Sequence, residues 1–229
     1  FSKARELLSE RDDVHFELSI ESDSNGRTSF RRLEDILDGR KADVIISSST
    51  LHLIPAKTIG DLAFQFAGSL TEDGVFIWDS GDLECDFRPE NSALLHDPYR
   101  AVREILRDDE KRSSRLSEMG DDEMEKHERR LDRIFPSPFS IEVVLESLKD
   151  AGFSSDISEE VVDFSNDDAE RFVLVPRLAE IAAPLLKGEE RNNAIRGALK
   201  TALKSIADDG RGSEKAYRSH WVFGCHKLI

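Results

Sequence analysis

Cysteine is nearly absent from this sequence: Cys85 and Cys225 are the only two among 229 residues, far apart and outside any metal-ligand spacing. One pair can close at most one disulfide. Reduced thiols in a cytosolic protein are the expectation, and no Cys/His cluster suggests zinc or another metal site. Long apolar runs are missing as well. No stretch approaches the roughly 18 consecutive apolar residues that span a bilayer, and the first residues show no signal-peptide pattern. A cytoplasmic protein with no membrane partner is therefore expected. Lysine is scarce too, at 11 of the 32 basic residues against 47 Asp and Glu, for a formal net charge of -15. A sequence pI of about 4.9 disfavours nucleic acid as the main partner, because such binding needs a basic face to displace counterions. Abundant carboxylates with few lysines suit a protein kept soluble at high salt, where self-repulsion is screened. An ordinary acidic mesophilic protein would look the same, and composition leaves both open.

What is present is enough for one good core, with two small domains allowed but not required. Residues 3–11 have the spacing of an amphipathic helix (Ala4, Leu7, Leu8). Val14 to Ile20 alternates as a strand does, and Phe30 to Leu37 reads as a short helix closed by Gly39. The continuous β-branched run Val44-Ile45-Ile46 is the pattern of a central parallel strand covered on both faces. It ends in Ser47, Ser48, Ser49 and Thr50. A helix through Ile59, Leu62, Ala63, Phe66 and Leu70 follows, then a turn at Glu72-Asp73-Gly74 and a buried strand Val75–Trp78. That order makes a βαβ unit.

Residues 80–137 break the rhythm. Helical spacing around Tyr99–Arg107 and Glu123–Ile134, with no strand, predicts an inserted helical cap, least regular from Asp108 to Lys126. Alternation then resumes with a helix through Ile141, Val144, Leu145 and Leu148. Gly152 is placed to end it in a left-handed C-cap, with Phe153 packing back. A strand at Ile157–Phe164, helices at 177–187 and 190–207, and a last strand at Tyr217–Leu228 complete the pattern.

This order, with several local phrases, resembles class I S-adenosylmethionine-dependent methyltransferases. KARELL is similar to the helix after the second strand of that family, ADVIISSSTLHLIP to its fourth-strand motif, and LTEDGVFIWD to the turn and fifth strand. FSIEVVLESLKDAGF resembles the helix before the sixth strand, and YRSHWVFGCHK the antiparallel seventh. The resemblance implies an α/β Rossmann-like, mostly parallel sheet with an antiparallel last strand and helices on both faces. About five of its seven strands fall in this chain, at 1–79 and 138–229, with the helical insert after the fifth. The family's glycine-rich cofactor loop and the acidic residue that ends its second strand have no counterpart in the numbered chain. The resemblance places them before Phe1, in a β-α-β of on the order of 30 residues or more.

In open α/β sheets ligands sit beyond the carboxyl ends of the strands, which picks out three places. The first is Glu21, Ser22 and Asp23, which the resemblance sets near the adenine of S-adenosylmethionine. The second is Ser47, Ser48, Ser49, Thr50 and Leu51, whose mostly small side chains let backbone approach a ligand and which the resemblance sets near its methionine portion. The third is Asp79, Ser80 and Asp82, facing the substrate. His52 is the best single general base, with a near-neutral reference pKa, and Asp79 could act as base or orient an amine or hydroxyl. The insert, with Arg88, His96, Tyr99 and Arg103, is positioned to cover the site and shape the substrate pocket; its plainer role is to cover the sheet or form a homodimer contact. Trp221 and Phe223 read as core, and His127 as a solvated helix residue. The expected activity is methyl transfer to a small-molecule acceptor. A non-catalytic relative serving as a binding or assembly partner is the alternative. An NAD-dependent reductase lacks support, since neither Tyr99 nor Tyr217 is followed by the lysine of a Tyr-x-x-x-Lys pair.

Overall fold

The computed structural model describes residues 2–11, 13–17, 19–22, 28–108, 122 and 137–229. In chain order the elements are helix α1 (Ser2–Leu7), strands β1 (Ile20–Ser22) and β2 (Thr28–Phe30), helix α2 (Leu33–Leu37), strand β3 (Ala42–Ser48), helix α3 (Ala56–Ser69) and strand β4 (Leu70–Ser80). Helices α4 (Asp97–Asp108) and α5 (Ile141–Asp150) follow, then strand β5 (Ile157–Ser165). Helices α6 (Asn166–Val173), α7 (Pro176–Ala182) and α8 (Gly188–Asp208) lead to strand β6 (Ala216–Lys227).

The main sheet has the order β3-β4-β6-β5. β3 and β4 are parallel, with Val44 opposite Val75 and Ser48 opposite Asp79. β6 runs antiparallel to both β4 and β5. Two parallel neighbours cannot be joined by a hairpin, so α3 carries the chain back across one face. The fold is an open, Rossmann-like α/β sheet whose last strand is antiparallel, as the sequence leads one to expect. β4 starts earlier than that reading put it, because Glu72-Asp73-Gly74 forms an irregularity inside the strand: Ala42 pairs with Leu70, and Val44 already with Val75. A Cβ on Gly74 would come within 2.8 Å of the Leu70 side chain, so this close approach needs glycine.

Side chains alternate along β4, and its even-numbered residues Phe76 and Trp78 point into a core with Val222 of β6. Ile59, Ala63 and Phe66 of α3 and Ile141, Val144 and Leu148 of α5 complete it. Ser140 caps α5 by accepting the Glu142 N–H. At the other end Gly152 takes φ 89°, Phe153 N–H donates to Leu148 O, and the Phe153 ring is buried. A second core joins α4 to α6, α7 and α8 through Tyr99, Val102, Val173, Ile195 and Leu199. Residues 97–108 of the insert belong with residues 166–208 because both present apolar stripes that bury each other.

Other expectations change. Residues 14–17 form no strand; instead Ile20–Ser22 pair with Thr28–Phe30 in a separate hairpin. Alternation shows which side chains share a face, but a strand also needs a partner for its backbone groups. β3 lies at the edge of the described sheet, and Val44 and Ile46 are 49% and 69% exposed. Helices cover the Ile45 side, and among the described residues none packs along the other. α6 was not foreseen, since its apolar residues sit among acids. Residues 123–134 with His127, and Asp23, lie outside the described residues. No described helix is long and apolar enough to cross a membrane.

The β4–β6 pairing depends on a buried aromatic stack. The Trp78 indole N–H donates to His226 Nε2 at 2.9 Å, and His226 Nδ1 donates to Ser154 O at 2.7 Å. This needs a neutral imidazole, which burial favours by lowering its pKa. Gly224 sits opposite Trp78 in register, and any Cβ there would collide with the indole. Gly224→Ala is expected to cost about 1–3 kcal/mol by overpacking. Urea unfolding with an unchanged m-value would establish it, and wild-type stability would refute it.

Candidate functional site at the ends of β3 and β4

The parallel register sets the carboxyl ends of β3 and β4 side by side. Beyond Ser48, Ser49 takes φ 50°, a left-handed conformation unusual for a side-chain-bearing residue. Asp79 holds it there. Ser49 N–H donates to Asp79 Oδ1 at 3.0 Å and the Ser49 hydroxyl to the same oxygen at 3.0 Å. Asp79 O also accepts from Ser49 N–H, at 3.2 Å. Such residues hold strain on the order of 1–3 kcal/mol and cluster at ligand sites.

The turn Leu51–Leu53 then swings His52 inward until it is 3% exposed. Its Nδ1 lies 2.8 Å from Ser80 Oγ, and Ser80 Oγ accepts the Asp82 N–H at 3.2 Å. Asp82, 2% exposed, is gripped at both oxygens. Arg100 Nη1 donates to Oδ1 at 2.9 Å and Arg100 Nη2 to Oδ2. His96 N–H donates to Oδ1 at 3.1 Å, and His96 Nδ1 lies 3.0 Å from Oδ2. His96 and Arg100 can both reach one carboxylate because they stand four apart around the first turn of α4. The His96 ring meets the His52 ring at a centroid distance of 5.1 Å and stacks on Phe172 of α6 on its other side.

These surroundings set the charges. Burial, reinforced by His96, lowers the His52 pKa to about 4, so His52 is neutral at pH 7. Burial alone would raise Asp82, but the hydrogen bonds from His96 and Arg100 outweigh it and hold Asp82 at about 2. The result is a buried ionised carboxylate, its matching guanidinium, and a neutral imidazole beside them.

Of the residues singled out from sequence, the structure brings together Ser49, His52, Asp79, Ser80 and His96. Ser47 is half-buried on β3, while Ser48 and Thr50 are exposed, with the Thr50 hydroxyl donating to Ser48 O. Other positions have different surroundings. Leu51 is 2% exposed and belongs to the sheet core. Tyr99 is fully buried in the helical core; its hydroxyl donates to Leu178 O, and burial raises its pKa to about 12. Glu21 is exposed on the β1–β2 hairpin, accepting from the Ser29 hydroxyl. That hairpin, with Ser22, pairs with no strand of the main sheet. Arg103 is half-buried beside Tyr99, on α4. Arg88 Nη1 donates to Ser92 O at 2.8 Å. Asp82 carries no open face toward a substrate, since Arg100 and His96 occupy it. Arg100 went unnoticed in the sequence, although the His96-x-x-x-Arg100 spacing was the available signal. Among the described residues no group of His, Cys, Asp and Glu could hold a metal ion.

No protein-family model and no curated protein matches this chain. Among solved structures it is similar to the cyclopropane synthase MmaA2 from Mycobacterium tuberculosis, at 16% identity and a TM-score of 0.39, covering 82% of this chain and 56% of that one. It is also similar to YcgJ from Bacillus subtilis, at 11% identity and a TM-score of 0.43, covering 82% and 64%. A third is phosphoethanolamine N-methyltransferase 2 from Haemonchus contortus, at 14% identity and a TM-score of 0.35, covering 81% and 33%. This chain thus spans less than two thirds of the length of each. At TM-scores below 0.5 these likenesses carry no argument about activity.

The site makes the fold sensitive to acid. The unfolded chain takes up a proton on His52 near pH 6.5 and the folded chain only near 4, so stability falls as pH drops through that window. Asp82 contributes fully above its unfolded value of 3.8, and that contribution is lost as pH falls toward 2. Urea titrations from pH 7 to 4 are expected to show a loss of about 3 kcal/mol, largely removed in His52→Gln; a pH-independent stability would contradict it. Asp82→Asn leaves Arg100 with only its longer contact to Asp97, at 3.4 Å, and is expected to cost about 3 kcal/mol at pH 7.

Proposed function

We propose that this chain is part of a class I S-adenosylmethionine-dependent methyltransferase acting on a small-molecule acceptor, with the ends of β3 and β4 as its working surface. One observation supports this above others. Ser47–Thr50, Asp79, Ser80 and His52 meet beyond the carboxyl ends of adjacent parallel strands, where open α/β sheets bind ligands. No side chain from 47 to 50 is larger than threonine, and Ser49 is held in a strained turn by Asp79. Both features suit close approach of a cofactor's amino-acid portion. When bound, S-adenosylmethionine supplies an electrophilic sulfonium methyl group, so placement and exclusion of water account for much of the rate.

In this reading Asp79 is a positioning residue that shapes the Ser49 turn. His52, kept neutral by burial, is the proton acceptor, and Ser80 Oγ at 2.8 Å fixes its ring. Asp82, with Arg100 and His96, anchors that wall and is not itself the base. The described part of the insert, residues 80–108, borders that wall through the Asp82–Arg100 pair. The alternative is a non-catalytic methyltransferase-like partner protein, favoured by the near-complete burial of His52, Ser80 and Asp82.

Isothermal titration of S-adenosylhomocysteine into the full-length protein, in low and in molar salt, separates the two. Micromolar binding weakened about tenfold or more by Ser49→Pro, with the fold intact by circular dichroism, is the expected result. No heat under either condition in a folded protein would leave the non-catalytic reading.

A further inference from the structure

A second constellation of reactive side chains lies apart from the His52–Asp82 cluster, on the face of the sheet packed by α5. Cys85 Sγ is 3.6 Å from His220 Nδ1, and His220 Nε2 is 2.7 Å from Glu159 Oε2. An ionised carboxylate only accepts hydrogen bonds, so Nε2 carries the imidazole proton and Nδ1 presents its lone pair to the thiol. One neutral tautomer satisfies both contacts. Nucleophile, base and orienting carboxylate in line are the signature of an activated nucleophile.

Each member is held by the fold. Glu84 N–H donates to Phe139 O at 3.0 Å, and Glu84 O accepts from Ile141 N–H at 2.8 Å, which fixes the chain immediately before Cys85. His220 is 1% exposed, is paired with Val161 of β5, and donates its backbone N–H to Ala93 O at 3.0 Å. Glu159 stands diagonally across β5 from it, with a side chain 46% exposed. The Phe87 ring meets His220 edge-on. Arg88 N–H donates to Cys85 O, closing a turn in which the Asp86 and Phe87 amides are not used by that bond.

We propose that Cys85, His220 and Glu159 form a second catalytic centre, which takes up the acyl group of an activated ester or thioester as an S-acyl cysteine. The Cys85 thiol adds to the carbonyl carbon as its proton passes to His220 Nδ1. The tetrahedral adduct collapses, the carbon–heteroatom bond breaks, and the leaving alcohol or thiol departs with that proton. Water, deprotonated by the same nitrogen, then releases the acid and restores the thiol. Glu159 holds the ring in the required tautomer and stabilises the imidazolium that forms. It is a positioning residue. Burial raises the Cys85 pKa to about 11, with Glu159 and Asp86 adding to the rise and Arg88 opposing it. The resting state is thus a neutral thiol, and attack requires the base rather than a standing thiolate. None of this depends on the cofactor reading of the first site.

The test uses Cys225→Ser, which leaves Cys85 as the single thiol, with p-nitrophenyl acetate as the probe. The expected result is a burst of p-nitrophenolate stoichiometric with protein and an acetyl group on Cys85 by mass spectrometry. The acylation rate should show an inflection well below the titration of the thiol itself. His220→Asn is expected to slow acylation by about 10²-fold. Glu159→Gln, at a half-exposed position, is expected to slow it and move the inflection to lower pH, and it carries the test if His220→Asn does not fold. Acetylation that follows only thiol ionisation, or that is unchanged in Glu159→Gln, would overturn the proposal. So would the absence of any Cys85 adduct.

Discussion

The buried carboxylate of Asp82 is the constraint on which the rest of this architecture turns. A carboxylate 2% exposed is tolerable only if its charge is matched and its lone pairs are filled. Arg100 and His96 do both, one on the first turn of α4 and the other immediately before it. The end of β4 is thereby tied to the start of α4, and through α4 to the helical core with α6, α7 and α8. The same carboxylate fixes His96, which in turn packs against His52. A single ion pair thus links the sheet, the helical layer and the wall of the candidate site.

The second constraint lies within β4 itself, at Trp78. Trp78, His226 and Ser154 form a chain of hydrogen bonds across the β4–β6 pair, and Gly224 leaves the space that the indole fills. β6 can enter between β4 and β5 because its even-numbered residues serve two purposes. Val222 joins the apolar core, while His220 and His226 satisfy buried polar groups. The same alternation that inserts the strand also carries His220 to Cys85 and Glu159.

Much of the architecture is legible along the chain. β3, α3, α5, β5, α8 and β6 lie where hydrophobic period and turn residues put them, because each carries a strong apolar pattern, while β4 begins earlier, at Leu70. The Gly152–Phe153 cap is readable for the same reason, since a local φ and a local contact define it. Residues 14–17 are where that reasoning fails: their alternation is real, but among the described residues they are not part of any strand. Of the sites, the position beyond β3 and β4 was visible from topology. The roles within it were not. Asp79 and Asp82 look alike in sequence, and only their partners, Ser49 for one and Arg100 with His96 for the other, distinguish them. The burial of Tyr99 and Leu51 in the cores is likewise not legible in the sequence.

By itself the sequence determined the fold class, the order of most elements, the acidic surface and the pair of strand ends where polar residues collect. These depend on periodicity, composition and local turn chemistry, which are properties of neighbouring residues. The tertiary structure alone decided the meeting of Asp82 with Arg100, of Trp78 with His226, and of Cys85 with His220 and Glu159. These contacts join residues 18, 148, 135 and 61 positions apart. Side-chain chemistry over such separations follows from strand order and register, which no local pattern encodes.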